Sequence, residues 1–427
     1  MIAFYTAGLV GLIVVGVPIA ITLIGLGVIG VWWAGIPINI IAQRMVFGLD
    51  SFTLLAIPLF LLMGNLMNAT GVTERIFRFA SAMVGHWRAG LAHVNVIASG
   101  FFAGMSGSAI ADAAGLGAVQ IRAMRQQGYP ADYAAAITAA SATMAPVIPP
   151  SIAAVLYAYI ADVSVGRMFM AGVIPGLLMG GALMATIHVM ARGKPYPIAP
   201  KASGPARRKA FLDALPALVC PFFLIGGMYS GFFTPTEGSA FGVLYAVLLG
   251  MVYRRGVNMG VVAEALRETV ITTGAVMIII SGAHVFAWIL TQQRVPQELT
   301  QLVLSMGLNK YTFLLVINVV LLILGMLLDT TAIMLLVTPV IVPAVKALEI
   351  DLIHFGMVMI VNMMIGLLTP PVGMALFVVS NLSGESVEKV AKASLPYVVS
   401  LTAVLLLITY APALVLALPD LVYGAAK

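Results

Sequence analysis

Charge is what this sequence of 427 residues has least of. Asp, Glu, Lys and Arg make up 9% of it, against about 25% in an ordinary soluble domain, while 61% is hydrophobic. A water-soluble chain of that composition would expose large contiguous apolar patches. A soluble multi-domain enzyme, the reading that length alone favours, is therefore excluded. Disorder is excluded too, because it requires low hydrophobicity and high charge. Cysteine is nearly absent, and Cys220 alone permits no internal disulfide and no cysteine-based metal site. The apolar N-terminus lacks a small-residue cleavage site after a short core, so it reads as a first span and not a signal peptide. The net charge of +6 is read through its distribution, as the mark of a cytoplasmic face and not of nucleic-acid binding.

What the sequence has instead is long runs free of Asp, Glu, Lys and Arg, among them 2–43, 51–73, 89–111, 133–161, 168–191, 214–236, 269–293, 311–328, 330–345, 352–384 and 393–419. About 20 apolar residues suffice for a spanning helix. Backbone in lipid must satisfy its own hydrogen bonds, and the runs lack the short alternation of barrel strands. The chain is therefore expected to be an all-α polytopic membrane protein.

Basic residues orient it. Arg192, Lys194, Lys201, Arg207, Arg208 and Lys209 crowd a segment rich in Pro and Gly, which reads as a cytoplasmic linker between two halves. Arg75, Arg78 and Arg88 precede the stretch 89–111, and Arg122 and Arg125 follow it. Two cytoplasmic flanks around one apolar excursion imply a re-entrant hairpin with its tip at Gly104-Met105-Ser106-Gly107-Ser108. Such a sequence suits non-helical backbone at membrane depth. With the N-terminus inside, spans are expected near 3–30, 52–70, 131–161, 167–191, 212–232, 238–253, 270–290, 352–381 and 393–419, with a second hairpin at 311–345 entering from outside. Arg254, Arg255, Arg267, Lys389 and Lys392 then also fall inside, and the C-terminus is periplasmic.

The prolines reveal a duplication. Pro149-Pro150 recurs 221 residues later as Pro370-Pro371, Gly104-Met105 as Gly325-Met326, and Pro175 as Pro396. The expected organisation is an N-terminal scaffold helix and interfacial arm (1–51), then a first repeat (52–191) with hairpin 89–125 and broken helix 131–161. A linker (192–211) and scaffold helices with an arm (212–269) follow, then a second repeat (270–427) with hairpin 311–345 and broken helix 352–381. Each repeat crosses an odd number of times and two added spans separate them, so the repeats are inverted. Inverted repeats with broken helices mark secondary transporters.

At the breaks, proline withholds the amide that would serve the carbonyl four residues earlier. Pro149 and Pro150 free the carbonyls of Ala145 and Pro146, and Pro370 and Pro371 free those of Gly366 and Leu367. A bare carbonyl in a membrane is costly, and sodium, an oxygen-seeking cation, would satisfy it. The helix that restarts presents amides and a positive end to an anion. Ser106 and Ser108 offer hydroxyls to the first break; Asp329, Thr330 and Thr331 offer a carboxylate and hydroxyls to the second. Asp329 fits ion ligation, the reading favoured for an intramembrane acid, or the cap of a short helix. The two serines fit ligation or close helix packing. Asp112 reads as a brace or cap of the hairpin's second arm, His284 as a packing residue, and Glu237 as either solvated or facing a partner.

Leu49-Asp50-Ser51-Phe52, Gly104–Asp112, Pro146–Ser151, Phe233–Gly238, Leu328-Asp329 and Gly366–Gly373 together resemble the large membrane subunit of tripartite ATP-independent periplasmic (TRAP) transporters over essentially the whole chain. The resemblance implies an elevator-type secondary transporter of the bacterial inner membrane that imports small carboxylates with sodium. It implies two partners, a small four-helix membrane subunit and a periplasmic substrate-binding protein. It carries a first sodium site onto Ser106, Ser108, Ala145, Ile148 and Pro150, and a second onto Asp329, Thr330, Thr331, Gly366 and Thr369. Substrate contacts fall on Ser108, Pro149, Ser151 and Pro371. No organic cofactor is implied. Ala145 stands where the family often has Gly, and Ala375 where it often has Asn. Two other readings compete: a sodium/carboxylate symporter that needs no binding protein, and an intramembrane serine protease built on Gly104-Met105-Ser106-Gly107, which would require an activating His.

Overall fold

The computed structural model describes residues 2–194, 196–253 and 259–424. Arg254 and Arg255, counted above on the cytoplasmic side, and the C-terminus itself lie outside the described residues. The described chain is all-helical, with twenty α-helices, one short 3-10 helix (Phe52–Leu55) and no strand. Eight of its helices are long and apolar enough to cross a membrane.

The N-terminal run is the first departure from expectation. Residues 3–30 are not one span but two helices, α1 (Ile2–Val14) and α2 (Ile19–Trp33). Gly16 turns the chain at φ +88° and Pro18 precedes α2. The helices fold back on each other, with the Phe4 ring 4.8 Å from that of Trp33. At 13 and 15 residues each is about 20 Å long, short of a bilayer core of about 30 Å. Phe4 therefore sits at the same end as Trp33, and residues 3–30 make a helical hairpin in place of one span. A short α3 (Asn39–Phe47) follows.

The first repeat holds α4 (Ala56–Ala69), α5 (Val72–Val84), α6 (Gly90–Ser106), α7 (Ala109–Gln126), α8 (Ala131–Ala142), α9 (Ile152–Ala161) and α10 (Val165–Met190). Then come α11 (Gly204–Tyr229), α12 (Pro235–Val252) and α13 (Met259–Gln292). The second repeat continues through α14 (Val295–Ser305), α15 (Lys310–Leu327), α16 (Thr330–Ala347), α17 (Leu352–Gly366), α18 (Met374–Ser383), α19 (Val387–Tyr410) and α20 (Ala413–Tyr423). Several boundaries move. The last residues of the 192–211 linker already belong to α11, because Ser203 caps it and Pro205 opens its first turn. The 269/270 boundary falls inside α13, a helix of 34 residues. The span expected at 393–419 ends at Tyr410, and Ala411-Pro412 separates it from α20.

Short polar side chains set the helix starts, as capping requires. Ser108, Ser151, Ser164, Ser203, Asn309, Asp329, Asp351 and Ser386 each accept a first-turn amide of the helix they precede. Thr234 and Glu237 form a reciprocal capping box at α12, with distances of 3.3 and 2.8 Å. Glu237 is thus a helix-start residue and not simply a solvated one.

The duplication is visible helix by helix. α7 and α16 start 221 residues apart and so do α8 and α17, while α5, α6, α9 and α10 pair with α14, α15, α18 and α19. The two sets interlock. α7 packs on α8 and on α18, and α16 packs on α17 and on α9; α8 lies against α19, and α17 against α10. The first halves of the broken helices form the centre of the core: every residue of α17 from Ile353 to Gly366 is buried, and α8 is buried from Tyr133 to Ala142. A helix apolar on all sides belongs in such a position.

Polar clamps join hairpin to break in both repeats. Asn95 of α6 donates to Thr138 of α8 (2.7 Å) and accepts from Ser141 (2.6 Å). In the second repeat Asn362 of α17 donates to the Asn318 side chain of α15 (2.8 Å), which donates to Thr409 of α19 (3.0 Å). Ser141 and Asn362 occupy equivalent positions 221 residues apart. Buried hydrogen-bonded networks of this kind fix one packing arrangement.

Candidate functional site

The tip of the first hairpin is two residues long. α6 ends at Ser106, Gly107 takes the left-handed conformation (φ +60°), and Ser108 starts α7 with its hydroxyl 3.4 Å from the Ala111 amide. The second tip repeats this plan: Asp329 caps α16, its Oδ2 accepting the Thr331 amide at 2.9 Å. Ser108 and Asp329 are equivalent under the 221-residue offset. The capping reading of Asp329 therefore holds, and its Oδ1 accepts no hydrogen bond from the described residues.

Each tip lies directly on its break. A Cβ on Gly107 would stand 2.8 Å from the Pro150 carbonyl oxygen and 3.3 Å from the Ile152 amide. In the second repeat the Val372 amide donates to the Met326 carbonyl (3.1 Å), and Gly325 and Gly366 meet backbone to backbone. The bond between the paired prolines is cis in both breaks.

The carbonyls divide differently from the expectation that proline alone bares them. Those of Ala145, Ile148, Pro149 and Pro150 accept no hydrogen bond among the described residues. The Pro146 carbonyl is not bare, because the Ser151 hydroxyl donates to it. The Gly366 carbonyl is not bare either, as it accepts the Thr369 amide at 3.0 Å. The Thr369 hydroxyl donates to the Ile365 carbonyl (2.8 Å). In the second break the Leu367 carbonyl stays unpaired among the described residues.

Ser106 donates to Asp112 Oδ1 at 2.5 Å, and both side chains are buried. Asp112 thus braces the tip from the first turn of α7. A hydroxyl that gives its proton to a carboxylate keeps its lone pairs for a cation. Asp112 Oδ2 has no partner among the described residues.

A cavity of about 490 Å³ lies between the two tips, within the range of about 300–1,000 Å³ usual for small-molecule sites. It brings together Ser108, Asp329, Thr330 and Thr331 with Pro146 and Leu367 of the breaks. Ser106 lines a smaller adjoining cavity of about 270 Å³. Ala145, Ile148, Pro149, Pro150, Ser151, Gly366, Thr369 and Pro371 are not among the lining residues; Ser151 is fully buried and Pro371 faces outward on the exposed second break. No Lys, Arg or His lines the larger cavity among the described residues.

Three polar lining residues were not anticipated. Asn65 of α4 and Glu268 and Thr272 of α13 form a further wall. Glu268 borders the charge-free run 269–293, where a border charge reads as the end of a span. Because α13 continues to Met259, Glu268 shares a helical face with Thr272, four residues on. That spacing was the available signal.

The family described as "Tripartite ATP-independent periplasmic transporter, DctM component" matches residues 6–414. The chain is 43% identical to the sialic acid TRAP transporter large permease protein SiaM of Vibrio cholerae, covering 98% of each chain. It is 42% identical to the C4-dicarboxylate TRAP transporter large permease protein DctM of Pseudomonas aeruginosa, covering 87% of each. Among solved structures, the YdaH transporter of Alcanivorax borkumensis shares the fold, with a TM-score of 0.63 over 88% of each chain at 16% identity. These relatives are permeases, not enzymes, which removes the protease reading; Ser106 is also paired with an acid and not with a His.

Proposed function

The chain belongs to the DctM component family of tripartite ATP-independent periplasmic transporters, and on that premise we propose that it imports a small carboxylate across the bacterial inner membrane, driven by sodium. One observation carries the proposal. The cavity between the hairpin tips is bounded by the first turns of α7 and α16 and contains no basic residue. An anion there must be held by helix starts, hydroxyls and cations. Helix starts offer free amides and a positive dipole end worth about 0.3–1 kcal/mol each, up to about 2 in buried geometry.

Sodium supplies the rest. The unpaired carbonyls of Ala145, Ile148 and Pro150, with the Ser106 and Ser108 hydroxyls, make an oxygen set suited to a hard cation. In the second repeat Asp329, Thr330, Thr331 and Thr369 with the Gly366 and Leu367 carbonyls make another, the Gly366 oxygen keeping a second lone pair beside the Thr369 amide. A carboxylate reaching the helix starts then meets bound charge of opposite sign, which couples its binding to that of sodium. The interlocked hairpins and broken helices would move as one body against α4, α11, α12 and α13, in an elevator cycle. The inverted relation of the repeats gives the inward and outward states a common geometry. A small membrane subunit and a periplasmic binding protein complete the system.

Reconstitution tests this. Proteoliposomes holding the chain and its small subunit are loaded with potassium and given external sodium, binding protein and radiolabelled carboxylate. Uptake that needs both sodium and the binding protein supports the proposal. Uptake indifferent to sodium overturns the coupling, and uptake without the binding protein favours the partner-independent symporter.

A further inference from the structure

The two large permeases compared above bear names with different substrates at almost equal identity, so identity does not choose among carboxylates. The cavity does, because its walls differ in hydrogen-bonding character. On the side of the tips, the first turns of α7 and α16 offer helix-start amides, which are donors, beside Asp329, whose charge the sodium proposed above offsets. The wall of α4 and α13 carries one carboxylate, Glu268, with Asn65 and the Thr272 hydroxyl beside it. Glu268 lines both cavities and has no hydrogen bond or ion pair among the described residues; the neighbouring Arg267 is engaged with Glu264 at 3.0 Å. Asn65 also lines both cavities, and its amide nitrogen donates to the Thr269 hydroxyl at 3.1 Å. That hydroxyl gives its own proton to the Ala265 carbonyl at 2.7 Å, so it can only accept from Asn65. The Asn65 orientation is thereby fixed, leaving Oδ1 and the second amide N–H.

We propose that Glu268 and Asn65 make the cavity selective for a monocarboxylate whose remainder carries hydroxyl or amide N–H donors, and against a dicarboxylate. The substrate's single carboxylate would lie at the helix starts and its donor-bearing portion against Glu268 and Asn65. A second carboxylate at that wall would meet the like charge of Glu268 with no basic residue among the described lining to offset it, and juxtaposed like charges are strongly unfavourable. The adjoining smaller cavity, reached past the same two residues, gives the hydroxylated portion room. This inference rests on the carboxylate reading of the cavity given above.

The test is calorimetric titration of the purified chain with its small subunit, in saturating sodium, using N-acetylneuraminate and gluconate as hydroxylated monocarboxylates and succinate as the dicarboxylate. The hydroxylated acids are expected to bind about tenfold or more tighter than succinate, the discrimination that one like-charge contact supplies. Glu268→Gln, on an exposed face of α13, is expected to strengthen succinate binding and weaken that of the hydroxylated acids, bringing the ratio towards unity. Asn65→Ala is expected to weaken the hydroxylated acids alone. Succinate binding as tightly as the hydroxylated acids in the native protein, or Glu268→Gln shifting all three by one factor, overturns the inference while leaving the carboxylate reading intact. Failure of all three to bind in sodium overturns that reading and the inference with it.

Discussion

Replacing Gly107 by Ala probes the contact between the first hairpin and its break. Two costs add. The first is conformational: Gly107 has φ +60°, and a side chain there costs about 1–2 kcal/mol. The second is steric. The new Cβ would stand 2.8 Å from the Pro150 carbonyl oxygen and 3.3 Å from the Ile152 amide. Both neighbours are backbone, so no side chain can swing away, and overpacking of this kind costs about 1–3 kcal/mol. The sum, about 2–5 kcal/mol, weakens any equilibrium that needs the tip seated on the break by about 30-fold or more, taking about 1.4 kcal/mol per decade. The assay is sodium titration of the purified protein followed by its thermal stabilisation. Gly128→Ala is the control: Gly128 has φ +84° and open space where its Cβ would be, so it carries only the conformational cost. Gly107→Ala should lose sodium stabilisation and Gly128→Ala should keep it. Equal sodium affinity in the native protein and Gly107→Ala, or an equal loss in both variants, would refute the reasoning.

Other outcomes follow from the same geometry. Asp329→Asn keeps a good cap for α16 but removes the charge, so the protein should remain folded, judged by its melting profile, while sodium-driven uptake is lost. Ser106→Ala strips the last partner from the buried Asp112 and should lower stability by about 1–3 kcal/mol, together with a rise in the sodium concentration needed for half-maximal uptake. Single cysteines at Arg88 and Arg122, in a Cys220→Ser background, should react with an impermeant maleimide from the same side; labelling from opposite sides would contradict a hairpin that re-enters.

The repeat was legible because its anchors are residues with few substitutes: paired prolines at the breaks, glycines at the tips and capping oxygens at Ser108 and Asp329. Their offset carried through to helix starts with no shift at α7 and α16. The N-terminal turn was not legible, because Val15-Gly16-Val17-Pro18 contains no charge and reads as a continuation of one apolar run. Nor could proline spacing reveal that Ser151 reaches back to Pro146 or that Thr369 covers Gly366, since side-chain and turn hydrogen bonds depend on how the chain folds after the break. Glu268 escaped because counting charges finds the edges of runs, whereas a helix such as α13 continues past them and turns a border charge into a cavity.

On the proposed reading, sodium and a carboxylate bind together between the two hairpin tips. Scintillation-proximity binding of radiolabelled sodium to the purified chain, with and without carboxylate, addresses it directly. Saturable sodium binding that tightens when the carboxylate is added, and that weakens in Asp329→Asn, is the predicted result. Sodium binding that is absent, or that neither the carboxylate nor Asp329→Asn alters, would contradict it.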